Sequence, residues 1–328
     1  MSKPLFSVIL PAFNEQAHIA SCLDAIRANV LDPASAEILV IDNGSTDQTA
    51  TVVRSRGVRV IENTSGHRMN ISDLRNIGAR ESTGDILVFL DADMLVPVDW
   101  LEKARLYFGK GFKGALGFTS RAPDTAGWVG RIWGQRLFLK RNRLMDVDFL
   151  PGRNIFVNRV VFEAVGGFDP DFLTGEDKDF TFRVRKAGYR VVSAPEVCLI
   201  HLGFEKNLIE LMRKEFWRQS CTLQLAKKNG YSLRTLRHSV LSAWHVVCPA
   251  TALVLVLGWF ASPAWWVAIL LWLLPAVVIG GADARLVRTI DAFPLIVLTW
   301  LRWTAAGMAL ASQILRILVC RRIVHETT

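Results

Sequence analysis

From Ser239 to Ala282 the chain carries no Lys, Arg, Asp or Glu. About twenty helical residues, rising roughly 1.5 Å each, cross a hydrocarbon core of roughly 30 Å, so this stretch is long enough to cross twice. Val240 to Phe260 and Pro263 to Gly281 supply the two crossings, and Ala261-Ser262-Pro263 is the turn of the hairpin between them. A third apolar segment, Phe293 to Ile314, holds Arg302 near its middle. A charge there costs about 2.5–3.5 kcal/mol on insertion scales. The segment is expected to span with Arg302 paired or reaching for the interface. A buried soluble core fits poorly, because the uncharged stretch is so long and carries Trp244, Trp259, Trp265, Trp266 and Trp272. The chain is therefore expected to divide into a water-soluble head, residues 1–230, and a membrane domain, residues 231–328. Arg234, Arg237 and His238 before the first span, with Arg285 and Arg288 after the second, predict a head facing the cytosol and a location in the cytoplasmic (inner) membrane.

The head alternates short branched apolar runs with helical periodicity. Phe6 to Ala12 reads as a strand, Glu15 to Asn29 as a helix, Glu37 to Ile41 as a strand, and Thr46 or Asp47 as the cap of the next helix. Val58 to Ile61, Asn70 to Glu81 and Asp85 to Leu90 continue the alternation. Strands and helices in this order predict an α/β fold with a mainly parallel sheet covered on both faces. Ligands of such sheets gather beyond the carboxyl ends of the strands. Phe13-Asn14-Glu15, Asp42-Asn43-Gly44-Ser45 and Asp91-Ala92-Asp93 would all meet at that edge. Further on, Asp99 to Phe108 reads as a helix, Gly114 to Ser120 as a strand, Leu150 to Asn154 as a turn, and Asp177 to Lys186 as a helix.

The formal charge of +9 fits a membrane surface and a diphosphate ligand. It comes with no zinc-finger spacing, RNA-binding aromatic signature or helix-turn-helix, so nucleic acid is not an expected partner. The five cysteines are scattered, with no C-x-x-C pair, and point to neither a disulfide framework nor a zinc site. Met1 to Leu10 lacks the flanks and length of a signal peptide.

Asp91 and Asp93 stand two apart beyond a buried strand, so on an extended chain both carboxylates would face one side. Hard oxygen donors there suit Mn2+ or Mg2+ bridging a diphosphate. A D-x-D in a loop is by itself usually turn chemistry. Glu176-Asp177 opens a helix, where acids ordinarily cap or meet the helix dipole. Asp177 is nevertheless the best available general base, a role worth roughly 10²–10⁴ in rate. His201, following Val197 to Ile200, is either a hydrogen-bonded structural residue or a third metal donor.

Four ordered segments carry a resemblance: SVILPAFNE at Ser7–Glu15, VIDNGSTD at Val40–Asp47, RNIGARESTGDILVFLDADM at Arg75–Met94, and GGFDPDFLTGEDKDFTFRVRKAGYRV at Gly166–Val191. Across residues 5–205 the head resembles the family 2 glycosyltransferases, which have the Rossmann-like GT-A fold. The resemblance implies an inverting, hexosyltransferase-like transfer from a UDP-, GDP- or dTDP-linked sugar. It implies a donor nucleotide site of Pro11, Phe13, Glu15, Asp42, Arg75 and Asp91, with Phe13 on the base and Glu15 at the ribose. It further implies Asp91, Asp93 and His201 as metal ligands, Glu176-Asp177 as the catalytic motif, and Gly152, Arg153 and Asn154 as an acceptor or donor-sugar loop. Two departures stand out: Asn43 where many relatives have a second Asp, and Gly175 where Thr is frequent.

A membrane domain beside such a head predicts a lipid or lipid-linked acceptor, a glycolipid or polysaccharide precursor. Gly127 to Arg143 mixes Trp128, Trp133 and Phe138 with Arg131, Arg136 and Lys140, and is expected either to rest on the membrane or to be an ordinary amphipathic helix. Two other functions compete. A sugar-1-phosphate nucleotidyltransferase would show a glycine-rich basic loop where this chain has Pro11-Ala12-Phe13-Asn14-Glu15. An inactive membrane scaffold would have no need for Asp91, Asp93 and Asp177.

Overall fold

The computed structural model describes residues 5–30, 35–230, 233–257 and 264–326. Trp259 and the Ala261-Ser262-Pro263 turn lie outside the described residues. The chain forms two compact units, Met1–Thr125 with Arg141–Phe204, and Ala126–Lys140 with Glu205–Thr328.

The first unit is built on an eight-stranded sheet. Its parallel half consists of β1 (Phe6–Ala12), β2 (Ala36–Asp42), β3 (Arg59–Glu62) and β4 (Ile86–Leu90), ordered β3-β2-β1-β4. β1 and β4 are buried at every position, as their continuous apolar runs require in a sheet covered on both faces. The connecting helices α1 (Ile19–Arg27), α2 (Thr49–Ser55) and α3 (Ile71–Arg80) follow the expected places. The helix expected from Glu15 starts four residues later for a physical reason. The backbone N–H groups of Asn14, Glu15 and Gln16 donate to Ser45, Thr49 and Asp47 side chains, at 2.9, 2.8 and 3.2 Å, and Asn14 takes a left-handed φ of 56°. Those donors clasp the loop after β2 and, with Asn14 in the left-handed region, hold the chain there out of helical geometry. Asp47, not Thr46, accepts the Thr49 N–H as α2 begins.

Beyond β4 the sheet becomes mixed. β5 (Met94–Leu95) and α4 (Trp100–Phe108) precede the expected strand at Gly114, which is two: β6 (Gly114–Gly117) in the large sheet and β7 (Ser120–Arg121) in a second one. The remaining strands of the large sheet are β8 (Met145–Asp146), β9 (Asn154–Asn158) and β10 (Arg190–Ser193). β9 runs antiparallel to both β4 and β6. β11 (Leu199–His201) pairs with β5 and β7, and this small sheet sets His201 opposite Met94. This mixed, mainly parallel sheet flanked by helices is the GT-A-like arrangement expected.

In the second unit, α5 (Trp128–Lys140) buries Val129, Ile132 and Trp133 against Leu211, Leu295 and Leu298. Trp133 is thus a core residue, while Trp128 is 45% exposed; the segment does not lay its whole aromatic face open. α6 (Arg159–Ala164) and α7 (Glu176–Lys186) belong to the first unit; α8 (Leu208–Gln219) and α9 (Thr222–Asn229) lead to the long helices. These are α10 (Leu233–Leu257), α11 (Ala264–Ala284) and α12 (Ala292–Glu326), with apolar spans at Arg237–Leu257, Trp265–Ala284 and Thr289–Leu318. Three helices of this length and apolarity support a multi-pass membrane location. Arg302 meets Glu215 of α8 at 3.4 Å, and Asp283 meets Arg136 and Lys140 of α5 at 2.5 and 2.8 Å. The third apolar segment therefore carries its charge in a pair.

Candidate active site

The parallel register sets Ala12 beside Asp42, and β4 runs next to β1, so the loops after β1, β2 and β4 leave the sheet at one edge. All three expected segments meet there. The chain turns at Ala92-Asp93 instead of running extended, and the two acids acquire different partners. Asp91 accepts from Arg75 Nη2 at 3.2 Å, and Asp93 Oδ2 lies 2.9 Å from His201 Nε2.

Arg75 is the centre of the first cluster. Its guanidinium also donates to Glu176 at 2.6 Å and is almost wholly buried, so α3, the loop after β4 and the start of α7 converge on one cation. The negative charge of Glu176 and Asp91 raises Arg75 above its ordinary range despite the cost of burial. Burial and the neighbouring Asp177 raise Glu176, with Arg75 opposing them. Asp177 accepts from the Gly152 N–H at 3.0 Å and from its neighbour Lys178 N–H at 2.8 Å, which orient its carboxylate. A Cβ on Gly152 would come within 2.7 Å of the Arg75 guanidinium. The close approach that requires glycine here is to Arg75.

The second cluster is Asp93, His201 and Arg153. Arg153 Nη1 lies 2.9 Å from His201 Nδ1, and an Arg can only donate, so Nδ1 accepts and Nε2–H donates to Asp93. Burial and the Arg153 charge keep His201 below its ordinary value, consistent with a neutral ring, although Asp93 pulls the other way. Burial would raise Asp93, but the His201 hydrogen bond and Arg153 hold it below the usual carboxylate range. Gly203 packs close against this pair: a Cβ there would fall 2.2 Å from Asp93 Oδ2 and 3.1 Å from His201 Nε2.

Glu15 is raised to about 7, first by burial and then by Asp93, Asp91 and Asp47. Asp42 is buried, and its two carboxylate oxygens accept from the Ser45 N–H and hydroxyl. Pro11 is a buried member of β1. Asn154 lies inside the sheet as the first residue of β9, donating to the Phe118 and Val197 carbonyls at 3.2 and 2.8 Å, so it braces the Gly152-Arg153 turn from below and is not part of an open loop. Among the described residues no three His, Cys, Asp or Glu side chains converge to hold a metal ion as they stand. A cleft of about 210 Å³, lined by Ile41, Ile61, Met69, Leu74 and Ile77 among others, includes none of the acids of the two clusters.

The sequence offered no sign of Arg68, whose guanidinium carbon sits 3.6 Å from the Phe13 ring centroid. Nor did it show that Gly203 crowds Asp93 and His201, although a glycine two residues past a candidate ligand was visible.

Known proteins share the family and the fold of this chain. The profile of glycosyl transferase family 2 matches residues 7–166. The chain is 30% identical over 258 residues to the glycosyltransferase AglE of Haloferax volcanii, covering 74% of this chain and 81% of that one. It is 29% identical over 189 residues to a PGL/p-HBAD biosynthesis glycosyltransferase of Mycobacterium bovis, covering 56% of this chain and 70% of the other. In fold it is similar to the mannosyltransferase PcManGT from Pyrobaculum calidifontis, solved in complex with GDP-Man and Mn2+, with a TM-score of 0.64, 22% identity, and coverage of 97% of this chain and 88% of that chain. With its strand-end acids gathered on a GT-A-like sheet and a relative matched over most of its length, the chain belongs to glycosyl transferase family 2.

Proposed function

We propose that this glycosyltransferase moves a hexose, with inversion, from a nucleoside-diphosphate sugar to a lipid or lipid-linked acceptor at the cytosolic face of a membrane. The observation that carries the reading is the buried guanidinium of Arg75, which ties Asp91 of the D-x-D pair to Glu176, the neighbour of Asp177. In this reading Phe13, Glu15 and Asp42, at the end of Pro11-Ala12 and of β2, line the nucleoside end of the donor. Asp177, oriented by two backbone N–H groups, takes the proton of the acceptor hydroxyl. The hydroxyl oxygen bonds to the anomeric carbon as the bond to the diphosphate breaks on the opposite face, and the nucleoside diphosphate leaves.

Asp91, Asp93 and His201 would hold Mn2+ or Mg2+. Two carboxylates and an imidazole fit such an ion chemically, and binding would require His201 Nε2 to exchange its proton and its hydrogen bond to Asp93 for the ion. When bound, the ion supplies neutralisation of the charge that develops on the departing diphosphate. Arg153 stands at the same point and contributes a fixed cation. Three apolar spans, with exposed Arg285 and Arg288 after the second, support the membrane acceptor and the cytosolic orientation.

The test is a donor screen on the purified full chain with Mn2+ and UDP-, GDP- or dTDP-sugars, plus a membrane-lipid acceptor extract. Nucleoside diphosphate release and a glycosylated lipid product are expected, both lost in Asp93→Ala and Asp177→Asn. Pyrophosphate release from a nucleoside triphosphate and a sugar phosphate would instead make the protein a nucleotidyltransferase. Because Trp133 is core, Trp128→Ser is the variant that probes acceptor delivery: lipid transfer should fall while donor hydrolysis persists.

A further inference from the structure

The polar helix that precedes the apolar spans lies beside the middle of one of them. Within the second unit, Leu211 of α8 shares a core cluster with Leu295 and Leu298 of α12, and Glu215 meets Arg302 at 3.4 Å. At the elbow between α8 and α9, Gln313 Nε2 donates to the Gln219 carbonyl at 3.3 Å, and Gln313 Oε1 accepts from the Leu223 N–H at 3.2 Å. α8 therefore follows α12 in the same direction. Arg302 stands ten residues, about 15 Å, into α12, and Gln313 lies about 16 Å farther. α11 gives that depth its meaning. It runs the opposite way along the same stretch of α12, with Gly280 against Ile296 and the Trp272 ring 5.1 Å from that of Trp300. Between those two levels α11 exposes Leu273, Leu274, Val277 and Val278. Hydrocarbon that covers these four side chains reaches the level of Trp300, and the Glu215–Arg302 pair is level with it or deeper.

We propose that α8 and its elbow with α9 are inserted into the membrane beside α12, with the Ile209–Trp217 face against lipid acyl chains, instead of standing in water or lying flat on the headgroups. The charges suit that setting. Lys214 meets Glu210 at 2.9 Å, Arg218 meets Glu205 and Glu215 at 2.8 Å each, and Arg302 shares Glu215. Three acids are thereby matched by three bases, as charges at membrane depth require. Outward, α8 presents Ile209, Arg213 and Trp217, which are spaced four apart and so share one face. Arg213 lies one turn nearer the start of α8 than Trp217, and its long stem can carry the guanidinium back toward the headgroups. Arg302 then has a reason to stand in an apolar span: it is the partner that lets a polar helix ride on α12. The inference rests on the membrane location and is independent of which sugar is moved and onto what.

The test places the full chain, its native cysteines replaced by Ser, in liposomes of phosphatidylethanolamine and phosphatidylglycerol. A nitroxide is attached at Trp217→Cys, at Val277→Cys on the exposed face of α11, or at Val160→Cys on the exposed face of α6 in the first unit. Electron paramagnetic resonance then compares collisions with oxygen, which concentrates in hydrocarbon, and with a nickel chelate, which stays in water. The label at 217 should lose nickel collisions to the level of the label at 277 while keeping its oxygen collisions, and the label at 160 should meet nickel freely. Nickel access at 217 equal to that at 160, with 277 protected, overturns the proposal and leaves the membrane location standing. Shielding of 217 from both reagents means that protein, such as a second copy of the chain, covers this face, and also overturns it. Nickel access at 277 itself overturns the membrane location as well. Should the cysteine-free chain fail to fold, a benzophenone side chain at 217 of the otherwise native chain gives the same decision: photo-adducts with lipid support the insertion, and adducts with protein alone, or none, overturn it.

Discussion

The two units of this chain handle buried charge in opposite ways. In the second, three charges beside or within the apolar helices are closed off by partners: Arg302 by Glu215, Asp283 by Arg136 and Lys140, and Arg218 by Glu205 and Glu215. In the first, among the described residues, the carboxylates of Glu15, Asp91, Asp93, Glu176 and Asp177 gather near Arg75 and Arg153, and burial, then the neighbouring Asp93, Asp91 and Asp47, raises Glu15 to about 7. Paired charge in an apolar surrounding keeps helices in register, and removing one member is strongly destabilising. Unbalanced negative charge at the edge of a sheet is a place for a cation and the diphosphate that travels with it. One pattern maintains a structure; the other leaves it ready for a ligand.

The contrast breaks most visibly at the acids. Asp177→Asn should lower turnover by roughly 10²–10⁴ while donor binding survives, as removal of a general base requires, and steady-state kinetics beside nucleotide calorimetry will separate the two. Asp93→Ala should lower both. In the second unit, Glu215→Ala strips Arg302 and Arg218 of a shared partner. The expected loss is about 3–5 kcal/mol of stability, seen as a lower Tm of the detergent-solubilised protein. Replacing Glu215 and Arg302 together with Leu should recover much of it, whereas the equivalent double replacement of Asp91 and Arg75 strands buried Glu176 and should cost both stability and function.

Smaller effects sharpen the same comparison. Gly152→Ala drives a methyl group toward the Arg75 guanidinium, an overpacking expected to cost about 1–3 kcal/mol and to reduce kcat through the displaced Asp177 partner. The smallest effect is a pH slope. Glu15 is raised in the folded chain, so the fold binds the extra proton between the ordinary carboxylate value of 4.5 and about 7. Stability contributed by that proton is present at low pH and is lost as pH rises through this window. Glu15→Gln should flatten the slope and leave the protein more stable than the wild type above pH 7 in thermal melts without ligand.

Much of this was legible in the amino-acid order. The runs Phe6–Ala12 and Ile86–Leu90 are apolar at nearly every position, which only a sheet covered on both faces accommodates, and a parallel sheet must deliver Asp42 and Asp91 to one edge. The uncharged tail announced its helices through length alone. What stayed hidden depends on partners distant in sequence. Nothing local shows that the N–H groups of residues 14–16 serve the loop after β2 and so delay α1, or that Trp133 is buried against Leu211 and Leu298. The D-x-D spacing predicted a shared face, yet a turn at Ala92-Asp93 sends Asp91 to Arg75 and Asp93 to His201. Asn154 read as a loop residue because Pro151-Gly152 precedes it, whereas its amide is committed to two carbonyls inside the sheet.

The claim on which the rest depends is that the acid surplus around Asp93 and His201 takes up a divalent cation with the donor nucleotide. Electron paramagnetic resonance of Mn2+, recorded on the full chain with and without UDP or GDP, measures this without relying on turnover. Bound Mn2+ is expected with the nucleotide present, and its uptake should fall in both Asp93→Ala and His201→Ala while Glu215→Ala matches the wild type. Mn2+ uptake that is the same in Asp93→Ala as in the wild type would contradict the account.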